Sequence, residues 1–149
     1  MQISSRFTIA LHIFACVETF KGTHKLTSDF LSQSINVNPV IIRNILIQLK
    51  NAGLVTVARG TGGVDTTRPL NEISFCDVYL AIEPLENGEL FHFHESPNPN
   101  CPVGRNIHTL LDQKLYSIQT VMENEMKKYT LADLKTELKD LLQKQNISN

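Results

Sequence analysis

The sequence predicts a mostly α-helical protein with a small β-hairpin wing and a long C-terminal helix, and three observations predict it. Between Thr27 and Gly53 two short amphipathic segments flank a brief turn. A β-prone run with a glycine-rich middle follows at once, from Leu54 to Thr67. From about Val103 to Tyr129, apolar residues recur by fours and threes. Helix, turn, helix and hairpin in that order make a winged helix-turn-helix. The domain plan is therefore residues 1–83 for the winged domain, 84–102 for an irregular loop, and 103–149 for a dimerisation helix and a last helix.

Ser4 or Ser5 caps the first helix, in which Phe7, Ala10, Leu11, Phe14 and Val17 form one stripe that ends before Lys21-Gly22-Thr23. Cys16, beside that stripe, reads as a small buried residue, and His12 and His24 as structural or surface groups. Thr27 or Ser28 caps a short helix over Asp29 to Ser34, and Ile35-Asn36-Val37 makes the turn. Phe30, Leu31 and Ile35 seal it against the helix that follows.

That following helix carries the clearest signals. Asn38 caps the free amides, Pro39 takes the first helical position where its missing N–H costs nothing, and Gly53 ends the segment. Ile42, Ile45, Leu46 and Leu49 face inward; Arg43, Asn44, Ile47, Gln48 and Asn51 face the other way. Such an outer face suits a major-groove reading helix, because Arg pairs bidentately with guanine and Asn or Gln with adenine. An ordinary solvated face is the plainer reading, and the hairpin shifts the balance. Its tip, Arg59-Gly60-Thr61-Gly62-Gly63, allows close backbone approach and adds a charge matched to phosphate or a narrow minor groove.

Arg68-Pro69-Leu70 breaks the second strand, and Ser74 caps a helix holding Phe75, Val78, Tyr79 and Ile82, with Cys76 buried. Prolines keep Glu83 to Asn100 irregular. His92, His94 and Cys101 are donor types for zinc or copper, but without tight spacing or a fourth ligand they read more plainly as solvated loop residues. In the long helix Ile107, Leu111, Leu115, Ile118 and Met122 form a stripe suited to a partner helix, and self-association is favoured because helix-turn-helix proteins bind two half-sites as dimers. Thr130-Leu-Ala-Asp133 opens the last helix, with Leu131, Leu134, Leu138, Leu141 and Leu142 on one side and Asn146 to Asn149 fraying.

The net charge is −1, yet it divides unevenly: residues 1–70 hold seven Lys/Arg against Glu18, Asp29 and Asp65, and residues 71–149 hold seven against twelve acids. A basic half and an acidic half fit nucleic-acid contact on one side. With no bilayer-length apolar stretch and no signal peptide, the expectation is a cytoplasmic protein without membrane contact; three scattered cysteines suit a reducing compartment.

The opening Met1-Gln-Ile-Ser-Ser-Arg6, the segment Ile45-Leu46-Ile47-Gln48-Leu49-Lys50-Asn51-Ala52-Gly53-Leu54-Val55, the wing Arg59-Gly60-Thr61-Gly62-Gly63 and Ile73-Ser74-Phe75-Cys76-Asp77-Val78-Tyr79-Leu80-Ala81-Ile82-Glu83 together resemble the Rrf-two (Rrf2) family of bacterial winged-helix transcription regulators. That family includes the iron-sulfur-cluster regulator IscR, and the resemblance spans most of the chain. Val64 stands where the family often has another glycine. The resemblance implies a homodimer that crosses its long helices, binds double-stranded DNA at a palindromic operator and represses, with the loop before the long helix as sensor. In the cluster-binding branch that loop carries three cysteines. Cys101, in Asn100-Cys101-Pro102-Val103-Gly104, matches the last, and the other two are missing. One thiolate does not replace the several soft ligands a cluster needs, so the expectation is the non-cluster branch, with no cofactor.

For Cys101 two readings stay open: thiol chemistry, because a helix entrance favours thiolate and Arg105 lies one turn on, and an unmodified role in which a cysteine before proline caps or packs the loop. A partner protein or a small molecule held near Phe91 and Phe93 is the alternative signal. No nucleophile and base or paired carboxylates share a spacing, so no enzyme is expected. For DNA the expected contacts are Asn38, Arg43, Asn44, Gln48, Arg59, Gly60 and Gly62, with Ser5 and Thr27 donating to phosphate. The competing class is a winged-helix protein-interaction module, in which the wing arginine and polar helix face are dispensable.

Overall fold

Ser4 starts the first helix by accepting the Arg6 N–H on its hydroxyl at 3.1 Å, and α1 runs Ser5–Phe20. The computed structural model describes residues 3–59 and 63–147. Six residues of α1 are buried, Ile13 among them, whereas Leu11 is only partly covered. The inward arc is wider than a stripe because α1 is the central post: the second, third, fourth and sixth helices all pack against it.

Thr27 caps α2 (Ser28–Ile35) by accepting from Phe30 N–H at 3.0 Å. Asn36 ends it in the left-handed conformation at φ 62°, which an Asn tolerates, and its N–H returns to Ser32 O. The chain then turns into α3 (Pro39–Asn51). Ile42, Ile45 and Leu49 are fully buried, each contributing about 1.5–3 kcal/mol relative to exposure. Gly53, at φ 74°, lets Leu54 N–H close back on Leu49 O. Strands β1 (Val55–Ala58) and β2 (Gly63–Thr66) pair antiparallel, with Val55 opposite Thr66 and Ala58 opposite Gly63.

A 3-10 turn over Leu70–Glu72, which no local sequence signal announces, is strapped down by Arg68, whose Nε donates to Glu72 O and whose guanidinium lies 3.3 Å from Asp77. Helix α4 (Phe75–Ile82) opens with a full capping box between Ser74 and Asp77. Its Tyr79 is fully buried, edge-on to Phe7 with ring centroids 6.0 Å apart, and among the described residues its hydroxyl has no hydrogen-bond partner.

Helix α5 (Pro102–Met126) ends before the predicted Tyr129 for a definite reason. Tyr129 O accepts from Phe75 N–H at 2.9 Å and Leu131 N–H donates to Ile73 O at 3.0 Å, so the chain leaves the helix to make a short antiparallel bridge. Ser74 and Thr130 face each other across it, and the backbone N–H of each donates to an aspartate three residues on, Asp77 at 2.9 Å and Asp133 at 2.7 Å. Helix α6 (Leu131–Ile147) lies on α1 and continues through Asn146, past the point where fraying is expected. The fold is a winged helix-turn-helix followed by a long helix, as the sequence predicted.

Candidate nucleic-acid interface

On α3 the inward and outward faces separate cleanly. The four predicted core residues are buried, and Arg43, Asn44 and Ile47 are exposed. Asn38 caps the helix through its side-chain oxygen, which accepts from Val40 N–H at 2.8 Å, and its position is exposed. Arg43 reaches back to the start of α2: its Nε donates to Ser28 Oγ at 3.2 Å and its guanidinium lies 3.8 Å from Asp29. Both partners of that pair are well exposed, so the contact orients Arg43 without locking it.

Gln48 departs from the expected outer face. Its Oε1 accepts from Arg6 Nη2 at 2.6 Å and its Nε2 donates to Ile82 O at 3.2 Å, so both ends of the amide are engaged within the fold. The physical reason is its neighbour: half-buried Arg6 on α1 needs an acceptor, and Gln48 sits at the edge of the buried face where it supplies one. Spacing along α3 could not show this, because the partner is 42 residues away.

Ser5 is exposed in the first turn of α1, and Thr27 is half-buried at the head of α2. Thr27 Oγ1 already accepts from Phe30 N–H, which leaves its hydroxyl proton to donate. Arg59 is exposed at the end of β1. Gly60 and Gly62 lie outside the described residues.

Cys101 is half-buried at the N-cap of α5. The backbone N–H groups of Gly104 and Val103 face its sulfur and hold the thiol below its ordinary pKa; Arg105 supplies a backbone N–H to Cys101 O. A Cβ on Gly104 would fall 2.5 Å from Asn98 O, so the loop closes tightly over this turn. Cys76 is the opposite case, buried and pushed up by desolvation. Cys16 is buried, its sulfur 3.3 Å from Ser34 Oγ.

The loop histidines have partners of their own. His92 lies 3.8 Å from Glu86, and His94 stacks on Phe93, which in turn packs against His108. Among the described residues no group of three or more His, Cys, Asp or Glu is placed to hold a metal ion.

Not one of the 25 residues of α5 is buried. Ile107 and Leu115 are half-covered, while Leu111 and Ile118 are exposed by 36% and 55%. Met122 instead leans on the body of its own domain, together with Met126. The exposed apolar set also includes Val103, Leu110 and Val121, which lie outside the predicted stripe.

The chain is similar to known regulators over nearly its whole length. A family described as Rrf2, iron-dependent transcriptional regulator, matches residues 3–137. YwnA of Bacillus subtilis strain 168, named as a candidate HTH-type transcriptional regulator, is 37% identical over 137 residues, covering 92% of this chain and 99% of YwnA. A crystal structure of a candidate transcriptional regulator from Lactobacillus plantarum superposes with a TM-score of 0.74 at 25% identity, covering 97% of this chain and 99% of that one. A second, of a candidate DNA-binding protein, superposes at 0.70 with 32% identity, covering 87% and 98%. The loop holds a single cysteine, Cys101, and the other two are buried in the winged domain.

Proposed function

The chain belongs to the Rrf2 family of DNA-binding transcriptional regulators, and from that premise we propose that it is a homodimeric repressor reading a palindromic operator with α3 and the wing. The observation that carries the proposal is the split of α3, with four core residues inside and Arg43 and Asn44 exposed beside the turn from α2. Asn38, Arg43 and Asn44 contact bases or nearby phosphates, and Ser5, Thr27 and Arg59 contact the backbone. Dimerisation through α5 is supported by its lack of any buried residue, which a helix of that length and apolar content makes up against a second copy. Cys101, with its favoured thiolate at the junction of loop and long helix, is the switch: oxidation or alkylation adds bulk or charge there.

A titration of the gene's own upstream promoter fragment, with and without diamide, tests this. Wild type should retard the fragment and diamide should release it; Cys101→Ser should bind and ignore diamide. Binding that diamide leaves unchanged in both would move the signal to a ligand or partner protein. A protein-docking role for the winged domain draws on exposed Val40 and Ile47 of α3. It requires that Arg43→Ala and Arg59→Ala leave DNA retardation unchanged.

A further inference from the structure

Val40 and Ile47 are exposed by 54% and 55% on a helix that buries Ile42, Ile45, Leu46 and Leu49; Ile41, exposed by 37%, lies about 100° round the helix from Val40. Among the described residues neither Val40 nor Ile47 packs against the hydrophobic core. Residues four, seven and eleven apart lie along one line of a helix, so Val40, Asn44, Ile47 and Asn51 form a single outward stripe of alternating apolar and carboxamide groups. The stripe carries no charge; Arg43 stands to one side of it.

That alternation matches one chemical surface. In the major groove an A·T pair presents the adenine N6/N7 edge, which a carboxamide pairs bidentately, and beside it the thymine 5-methyl, which only an apolar side chain contacts well. A docking patch for a protein would join its apolar residues into a continuous area rather than part them with amides. Seven residues rise about 10 Å along the helix, close to three base steps of about 3.4 Å.

Resting on the reading of α3 as the DNA-contacting helix, we propose that Val40 and Ile47 contact thymine methyl groups about three steps apart in each half-site, with an adenine read by Asn44 between them.

The test uses the upstream promoter fragment made with thymidine or with deoxyuridine throughout, which removes the methyl groups and keeps the pairing edges. Wild type binds the uracil fragment more weakly, by about fourfold for each methyl contact, the factor to which ~0.8 kcal/mol per buried methyl-sized group converts. The Val40→Ala, Ile47→Ala double variant, whose truncations lie on exposed positions, binds the two fragments equally. Equal binding of both fragments by wild type overturns the proposal. So does a double variant that keeps the wild-type preference, since the methyl groups would then act through DNA shape. Arg43→Ala on the thymine fragment separates the two levels: weaker binding there, with no thymine preference in wild type, removes the methyl contacts alone. Unchanged binding by all variants removes α3 as the reading helix as well.

Discussion

Arg6 Nη2 donates to Gln48 Oε1 at 2.6 Å while Gln48 Nε2 donates to Ile82 O, so one side chain of α3 ties α1 to the end of α4. Gln48→Ala deprives a half-buried guanidinium of its acceptor, at an expected cost of about 1–3 kcal/mol. Thermal unfolding should show Tm falling by about 2–4 °C per kcal/mol, against Asn44→Ala, whose exposed position leaves stability within about 0.5 kcal/mol. Equal Tm values would remove Gln48 from the framework.

Tyr79 buries its hydroxyl without a described partner, and burial pushes its pKa up, with Glu83 and Glu123 adding to the effect. Tyr79→Phe keeps the ring against Phe7 and removes the orphaned group. Stability should rise by about 1 kcal/mol in a denaturant titration. A lower midpoint at the same slope would mean the hydroxyl is satisfied in solution.

Arg59 at the wing is expected to touch phosphate. Arg59→Ala should weaken binding to all sequences alike and reduce the slope of log affinity against log salt by about 0.9 for each phosphate that the side chain neutralises. Arg43→Ala should instead relax discrimination among operator variants by about 1–3 kcal/mol at one position. Identical salt slopes for Arg59→Ala and wild type would take the wing off the backbone.

The lowered Cys101 pKa means its thiolate persists to a lower pH than that of free cysteine. The rate of iodoacetamide labelling should therefore reach half its maximum below the midpoint measured for free cysteine, and at neutral pH Cys101 should label before buried Cys16 and Cys76. Mass spectrometry of the labelled sites reads both. A midpoint at or above the free amino acid would leave Cys101 a packing residue.

Leu111 and Ile118 are exposed on α5, so Leu111→Asp with Ile118→Asp places two charges where a partner helix would lie without disturbing the protomer's core. Sedimentation should show wild type as a dimer and the variant as a monomer at the same concentration, with helical circular dichroism unchanged. A variant that stays dimeric would place the interface elsewhere.

The winged domain is legible in the sequence because each of its signals is local. Thr27, Asn38 and Ser74 cap helices within three residues of themselves, and Ile42, Ile45, Leu46 and Leu49 obey a helical period. What escapes the sequence depends on distant partners. Gln48 turns inward for Arg6, Met122 settles on its own domain, and α5 stops early because Tyr129 pairs with Phe75. The outward apolar pair on α3 is half visible: Ile47 falls on the outer face by its spacing, whereas Val40, in the first turn, is masked by the cap and proline signals that precede it.

The bridge between Ser74 and Thr130 fixes one end of the long helix to the body, and Met122 and Met126 brace it nearby. The other end, at Cys101, is reached only after a helix of 25 residues, about 37 Å. The long helix is thus a cantilever. A tilt of about 10° at its root displaces the thiol end by about 6 Å over that length. In the proposed dimer, where two such beams would cross, a modification no larger than a few atoms at the tips would be geared to the spacing of the two winged domains at the roots.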